Sequence, residues 1–475
     1  MNSFGRGSAR RAVASMLSGA ARSREREPLL AAGMILGLAY YYLVPSPLLA
    51  LPGLIVFVAA AWLRLDLALC LLPLAFPFWF VPKRVAGHVV FPLSEIALAV
   101  CLAVAIAHWL TLWRLRGGLS WAQRAGQVLW GRLGIWIVLG AALLALGTAA
   151  GVLIAVRPRE ALRAWRWEVV EPLVYLALVV VYVRRPRTAR WLIWSFLGSA
   201  LVLAGLAAVQ VLWVHVTFTP VEAGSRIVPF VSAAGGVPRA TAFVYGSGNS
   251  LGAWLERALP LALALTVIAP SRRWERLAAG LCALAYVPAL IWSDSRGAWV
   301  GAALACVVVV CVGLRRLWLV AGAALAAVLV ALPQREALVR AALAGHGGSG
   351  EVRTLVWLAA LRMIRDHPLL GIGPDQFLYH YDPAYTRHPY LIARLNGRLT
   401  PAVSQPDLAH PHNLLLDLWL SAGLLGLAGM LAILANLGAR CWRLWRQAGG
   451  WGAAAGLGVG ASVLAGVAHG MVDSA

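Results

Sequence analysis

The sequence predicts an all-α polytopic membrane protein, on three observations. Of its 475 residues, 61% are hydrophobic and only 13% are charged, against roughly 25% charged in a soluble domain. The apolar residues gather in runs of about 20, the length that crosses a hydrocarbon core as a helix. Short Arg-rich stretches separate the runs. This composition excludes a water-soluble enzyme, a disordered chain and a disulfide scaffold, and the runs lack the alternation of barrel strands. The net charge is +22, carried by 40 Arg and one Lys, Lys83. A charge of that size can signal nucleic acid. Its placement between apolar runs signals membrane topology instead, and no nucleic-acid partner is expected.

The elements follow in order. Residues 1–27 form an Arg-rich cytoplasmic tail, with Arg22, Arg24 and Arg26 before the first apolar run. The bulky, Pro-containing stretch Tyr40 to Pro47 leads straight into a second run, so the first reads as an uncleaved signal anchor. Residues 28–333 form a transmembrane helix bundle with runs at 28–45, 47–63, 66–82, 92–113, 134–156, 169–183, 191–213, 250–270, 277–293, 297–314 and 317–333. The segment 214–249 interrupts it as a shorter periplasmic stretch. Residues 334–411 form one large periplasmic loop. Residues 412–475 return to the membrane at 412–438 and in a weaker, Gly-rich run at 451–472. The expectation is about twelve transmembrane helices.

Orientation follows from the positive-inside bias. With residues 1–27 in the cytoplasm, 23 of the 41 cations lie inside, in short loops such as 114–132 and 184–190. Eight of the outside cations fall in 334–411, and long loops translocate whatever their charge. Within that loop, 351–366 has helical apolar spacing, with Leu355, Leu358 and Met363 near one face. Pro368 stops the helix and Gly371-Ile372-Gly373-Pro374 makes a turn. The cysteines read as small apolar fillers in the runs, apart from Cys441 in a basic loop.

Three outside places carry chemistry. Arg157, Arg159, Arg163 and Arg166 oppose the positive-inside bias. They read either as a solvated turn on anionic lipid headgroups or as a clamp for phosphate, which guanidinium matches bidentately. Arg296 is squeezed between two runs in Ser293-Asp294-Ser295-Arg296-Gly297. Asp294 is a candidate partner for it; otherwise the guanidinium and the following helix N-terminus suit a phosphate. Arg239 and Arg353 are further candidates, and Arg239 precedes a Gly/Ser/Asn turn containing Asn249. The third place is His410-Pro411-His412-Asn413. Imidazole is the natural proton acceptor near neutrality, and His412 begins a helix with Asn413 beside it. Asp375, Asp382 and Asp407 lie in the same loop, but Pro411 keeps the two His from stacking on one helix face and no HExxH pattern occurs. No metal is expected. No Walker A or Gly-rich nucleotide fingerprint is present, so no nucleotide cofactor is expected either.

These motifs, in this order, resemble the O-antigen ligase and polymerase (WaaL/Wzy) superfamily. The matching pieces are Arg239-x-x-x-Phe243-x-x-Gly246-x-x-Asn249, Ser295-Arg296-Gly297-Ala298, Arg353-x-x-x-Trp357 followed by Pro368 to Gly373, His410-Pro411-His412-Asn413, and Ser421 to Leu427. The resemblance covers roughly 230–440. It implies a GT-C-like glycosyltransferase in the Gram-negative inner membrane with a periplasmic active site. The implied donor is a glycan on undecaprenyl pyrophosphate; for a ligase, the acceptor is a sugar hydroxyl of lipid A–core. It implies His412 as general base and Arg296 and Arg353 as catalytic cations. Arg239, Arg157, Arg159, Arg163 and Arg166 hold the pyrophosphate, and His410, Asn413 and Asn249 support them. No cofactor is implied, and a single displacement inverts the anomeric centre. The alternatives are a chain polymerase of the same superfamily, an oligosaccharyltransferase to protein, and a lipid or polysaccharide transporter.

Overall fold

The structure, a computed structural model, describes residues 27–86, 89–116, 119–214, 218–223, 226–231, 239–268, 272–314, 349–382, 385–387, 390 and 410–472. The run expected at 317–333, all but one residue of the tail, and Asp407 lie outside the described residues. The described helices are α1 (Glu27–Leu43), α2 (Pro47–Leu63), α3 (Leu65–Leu71), α4 (Leu93–Arg116), α5 (Leu119–Ile154), α6 (Pro158–Trp165), α7 (Glu171–Tyr182) and α8 (Pro186–Val209). They continue with α9 (Gly248–Val267), α10 (Arg273–Trp292), α11 (Arg296–Gly313), α12 (Ser349–Asp366), α13 (Phe377–Tyr381), α14 (Leu414–Gln447) and α15 (Gly450–Gly470). Two antiparallel hairpins complete the described elements: β1 (Lys83–Ala86) with β2 (Val89–Phe91), and β3 (Phe218–Ala223) with β4 (Arg226–Val231). Among the described residues, eight helices are long and apolar enough to cross a membrane, and 27–43, 47–63 and 65–74 are shorter apolar helices.

Contacts divide the chain into two compact units, Met1–Gly134 with Val174–Ser199, and Ile135–Leu173 with Ala200–Ala475. In the first, α1 and α2 cross closely: a Cβ on Gly53 would meet the Gly37 carbonyl oxygen. Small residues at such crossings let helix backbones approach, which is how helices associate where no hydrophobic effect separates them from lipid. Met34, Phe57, Leu67 and Leu72 fill the core, joined by Leu178. Arg64 is buried between Glu27 (3.1 Å) and Asp66 (2.9 Å). Lys83 donates to the carbonyls of Val44 and Tyr42, placing a cation at the C-terminal end of α1 as the helix dipole favours.

This unit corrects two expectations. Residues 66–82 do not form one span. Pro73 and Pro77 break it into α3 and 3₁₀ turns at Leu72–Leu74 and Phe76–Phe80, because proline removes a backbone donor and clashes with the preceding turn. Residues 114–132 are not a loop either; apart from 117–118 they belong to α4 and α5. Ala, Leu, Gln and Arg favour helix there, and the break comes at Gly134, whose φ is 71°.

In the second unit, α9, α11 and α15 share a core of Ala264, Ala305, Val309, Leu457, Ala461 and Ala465. The Gly-rich last run is a full helix here, and Cys441 is buried on α14. The part of α5 after Gly134 lies against α14: Gly140 meets Gly429, and Gly147 meets Ala422 and Gly426. Helix α14 is broken at Gly423 (φ 64°, ψ −169°). The stretch 369–373 docks at that break. Leu424 N donates to the Leu369 carbonyl (3.0 Å), and Ile372 N (2.8 Å) and Gly373 N (3.1 Å) donate to the Leu420 carbonyl. A Cβ on Gly423 would lie 2.2 Å from the Leu369 oxygen. Helix α12 packs on α14 through Val356, Ala359, Ala360 and Met363 against Leu420. The face expected from Leu355, Leu358 and Met363 is therefore rotated, and Leu358 is exposed.

Candidate functional site

The second unit gathers the polar groups into two linked clusters. The first is the turn before α11. Ser295 is the N-cap of α11, its hydroxyl accepting from Ala298 N, and Arg296 is the first helical residue. Asp294 adopts the left-handed region (φ 48°). It does not pair with Arg296. Arg239 takes it instead: Nε lies 3.7 Å from the Asp294 carboxylate, and Nη2 donates to the Asp294 carbonyl (2.8 Å) and to Asn249 Oδ1 (3.0 Å). Arg296 is exposed and has no ion pair or hydrogen bond among the described residues.

The turn carrying Arg239 is built from below. Buried Gln210 accepts from Thr241 N and Ala242 N, both at 2.9 Å, and Ala240 N donates to the Trp292 carbonyl at 2.8 Å. Gly248 lies directly against Ser293, where a Cβ would meet the carbonyl oxygen at 2.2 Å. Sequence reasoning missed Gln210, although a buried amide in an apolar run is itself a signal.

The second cluster joins 157–171 to 374–379 and to the start of α14. Gln376 Oε1 accepts from Arg157 N (2.8 Å), and its Nε2 donates back to the Arg157 carbonyl (3.3 Å). Arg157 lies over the Tyr379 ring, Arg163 faces Asp375 at 3.8 Å, and Arg166 faces Glu171 at 3.5 Å. Arg163 and Arg166 both lie against Trp167. Arg159 is exposed on α6.

His410 Nδ1 lies 3.5 Å from Asp417 Oδ1. Desolvation opposes charge on this ring, but Asp417, with help from Glu168 and Asp375, outweighs it and raises the His410 pKa to about 9. His410 is thus a cation at neutral pH. Glu168 was missed in the sequence. Although part of its side chain meets solvent, desolvation and the facing carboxylates of Asp417 and Asp375 push it up to about 7, with His410 opposing. Desolvation likewise raises Asp375, against His410 and Arg163. Among the described residues no three His, Cys, Asp or Glu side chains converge as metal ligands do.

His412 does not begin the helix. It precedes the cap, Asn413, whose side chain accepts from Leu415 N and Leu416 N and donates to the Met471 carbonyl (2.9 Å). His412 is held at φ 51°. Among the described residues, the non-glycine residues at positive φ are Ala242, Phe243, Asp294, Asp375 and His412, and all five fall in these turns. Such backbone costs of order 1–3 kcal/mol per residue and persists where surrounding structure imposes it, commonly at functional sites. Arg353 is half-buried on α12, the helix packed on the start of α14.

Fold and site together define a multi-pass helical membrane protein whose candidate Arg and His residues lie at helix ends and turns. Residues 281–431 match the family described as O-antigen ligase. No curated protein matches the chain. The matched stretch contains Arg296, Arg353, His410, His412 and Asn413; Arg239, Asn249 and the 157–166 arginines lie before it.

Proposed function

We propose that this protein is an O-antigen ligase. It transfers a glycan from undecaprenyl pyrophosphate to a sugar hydroxyl of lipid A–core at the periplasmic face of a Gram-negative inner membrane. The observation that carries this reading is Arg296, an exposed guanidinium at a helix N-terminus, next to a turn held by Arg239. As the bond between the sugar C1 and the pyrophosphate oxygen breaks, negative charge builds on the leaving group. Fixed cations there stabilise the transition state more than the ground state. Arg296 and Arg353 take that role, and the 157–166 arginines extend the positive surface along the lipid-linked phosphates. Arg239, occupied by Asp294, acts chiefly by holding the turn that presents Arg296.

His412 removes the proton of the acceptor hydroxyl as that oxygen attacks C1 from the face opposite the pyrophosphate, which inverts the centre. His410 is the less suited of the two, since its pairing with Asp417 favours the protonated ring. The base and the charge clamp need no metal. The segment 334–411 contributes to the site from the periplasmic side, and the acceptor enters sideways from the bilayer because both substrates are lipid-linked.

Lipopolysaccharide profiling of a knockout tests the reading. Loss of long O-chains from core, with accumulation of lipid-linked polymer, is the expected result. One single repeat attached to core instead identifies the polymerase of the same superfamily.

A further inference from the structure

A second set of polar groups lies beneath the Arg296 turn, buried and outside the proposed chemistry. Glu256 on α9 is fully buried, and His469, in the last turn of α15, is nearly so. His469 Nδ1 lies 3.0 Å from Glu256 Oε2, and Arg257 Nη1 lies 3.9 Å from Glu256 Oε1. Neither carboxylate oxygen accepts a well-formed hydrogen bond among the described residues, so these contacts are ones of proximity and charge. On its other edge, His469 Nε2 lies 3.5 Å from Ser295 Oγ, 174 residues away in the chain. Ionisable groups inside a membrane protein carry a large desolvation cost and are retained for a task.

The local packing is shaped around this pair. A Cβ on Gly297 would lie 2.4 Å from His469 Cδ2, and one on Gly301 would lie 3.0 Å from Glu256 Oε2. Helix α11 therefore offers His469 and Glu256 a groove that only glycine leaves open. Ser295 is not placed to act as a nucleophile: it is 1% exposed, and its oxygen already accepts from Ala298 N. Ser295 Oγ and His469 Nε2 lie within hydrogen-bond reach, and the ring's tautomer sets which of the two donates. The same helix end also holds Asn413, through the Met471 carbonyl. Ser295 precedes Arg296 and Asn413 follows His412, so one end of α15 touches the cap residue beside each.

We propose that His469, paired with Glu256, is a positioning residue: through Ser295, and beside the Asn413–Met471 contact, it fixes Arg296 and His412 in one register for transfer. The catalytic part rests on the functional reading above; the anchoring does not. A small misplacement of a reacting group can cost on the order of 100-fold in rate.

The test uses the full-length protein in detergent or nanodiscs, with undecaprenyl-pyrophosphate-linked glycan as donor. His469→Gln should lower kcat by about 10- to 100-fold while the donor KM changes by less than about threefold, because the loss is in transition-state alignment. It should add little to the loss caused by Arg296→Ala. Amide hydrogen exchange should quicken at 293–298 and 412–416. Should His469→Gln fail to accumulate, the Glu256→Gln, His469→Gln pair leaves no lone buried carboxylate and carries the same expectation. Unchanged exchange at both segments, or losses that multiply with Arg296→Ala, overturns the anchor. Quickened exchange in His469→Gln alongside a fully active Arg296→Ala sinks the functional reading and leaves the anchoring standing.

Discussion

His410 and Asp417 form an ion pair at the start of α14, with Nδ1 and Oδ1 3.5 Å apart. The ring's folded-state pKa of about 9 lies well above the ordinary histidine value. A raised cationic pKa contributes stability that is fully present below the unfolded value, about 6.5. That stability is lost as pH rises through the folded value. Thermal melts of the purified protein should therefore show a pair-dependent fall between about pH 6.5 and 9. Asp417→Asn should flatten that part of the profile. Identical pH profiles for the two proteins would remove the pair from the account.

Arg296→Ala should lose about 100-fold or more of transfer activity, in the range seen when one charge-stabilising donor is removed. Lys should rescue poorly, since a point charge does not reproduce a bidentate fork. Arg159→Ala should be milder, because neighbouring arginines share its field. In vitro transfer at matched protein levels measures all three, and full activity of Arg296→Ala assigns that residue to structure.

His412 invites a substitution that separates backbone from side chain. Its φ of 51° suits glycine, so His412→Gly keeps the turn and removes only the imidazole. This variant should fold at least as well as the wild type yet transfer roughly 10²–10⁴-fold more slowly. His410→Ala should be less severe, and EDTA should have no effect. Near-normal transfer by His412→Gly rules out the general base; inhibition by EDTA redirects attention to a metal.

Gly423→Ala should be among the most damaging single-methyl changes. The residue sits at φ 64°, and the added Cβ would lie 2.2 Å from the Leu369 oxygen. The docking of 369–373 into the broken helix is then lost. The measurement is folded yield by size-exclusion chromatography, with a large drop expected; normal yield would mean that α14 tolerates a different break.

Topology is tested with single cysteines and an impermeant thiol reagent on intact spheroplasts. A cysteine at position 390 should label and one at 187 should not. The reverse pattern overturns the orientation and the periplasmic site together.

The run-by-run reading located most long helices because a span is a local property: enough consecutive apolar residues, bounded by charge, proline or glycine. The ordered Arg, His and Gly motifs were legible for the same reason. Pairing is not local. Asp294 was a candidate partner for Arg296, but the left-handed turn at Asp294 and the packing of 239–248 on it hand that carboxylate to Arg239. Likewise Gln376 ties down Arg157 from 219 residues away, and no spacing rule anticipates that contact.

The sequence by itself determined that this is a helical membrane protein with its basic and imidazole chemistry concentrated between spans, because hydrophobic length and charge asymmetry act residue by residue. Only the tertiary structure decided which glycines serve the break in α14, and that Glu256 and His469 lie together beneath Ser295. A buried charge is tolerated only where a partner reaches it. Which partner does so depends on how distant helices cross.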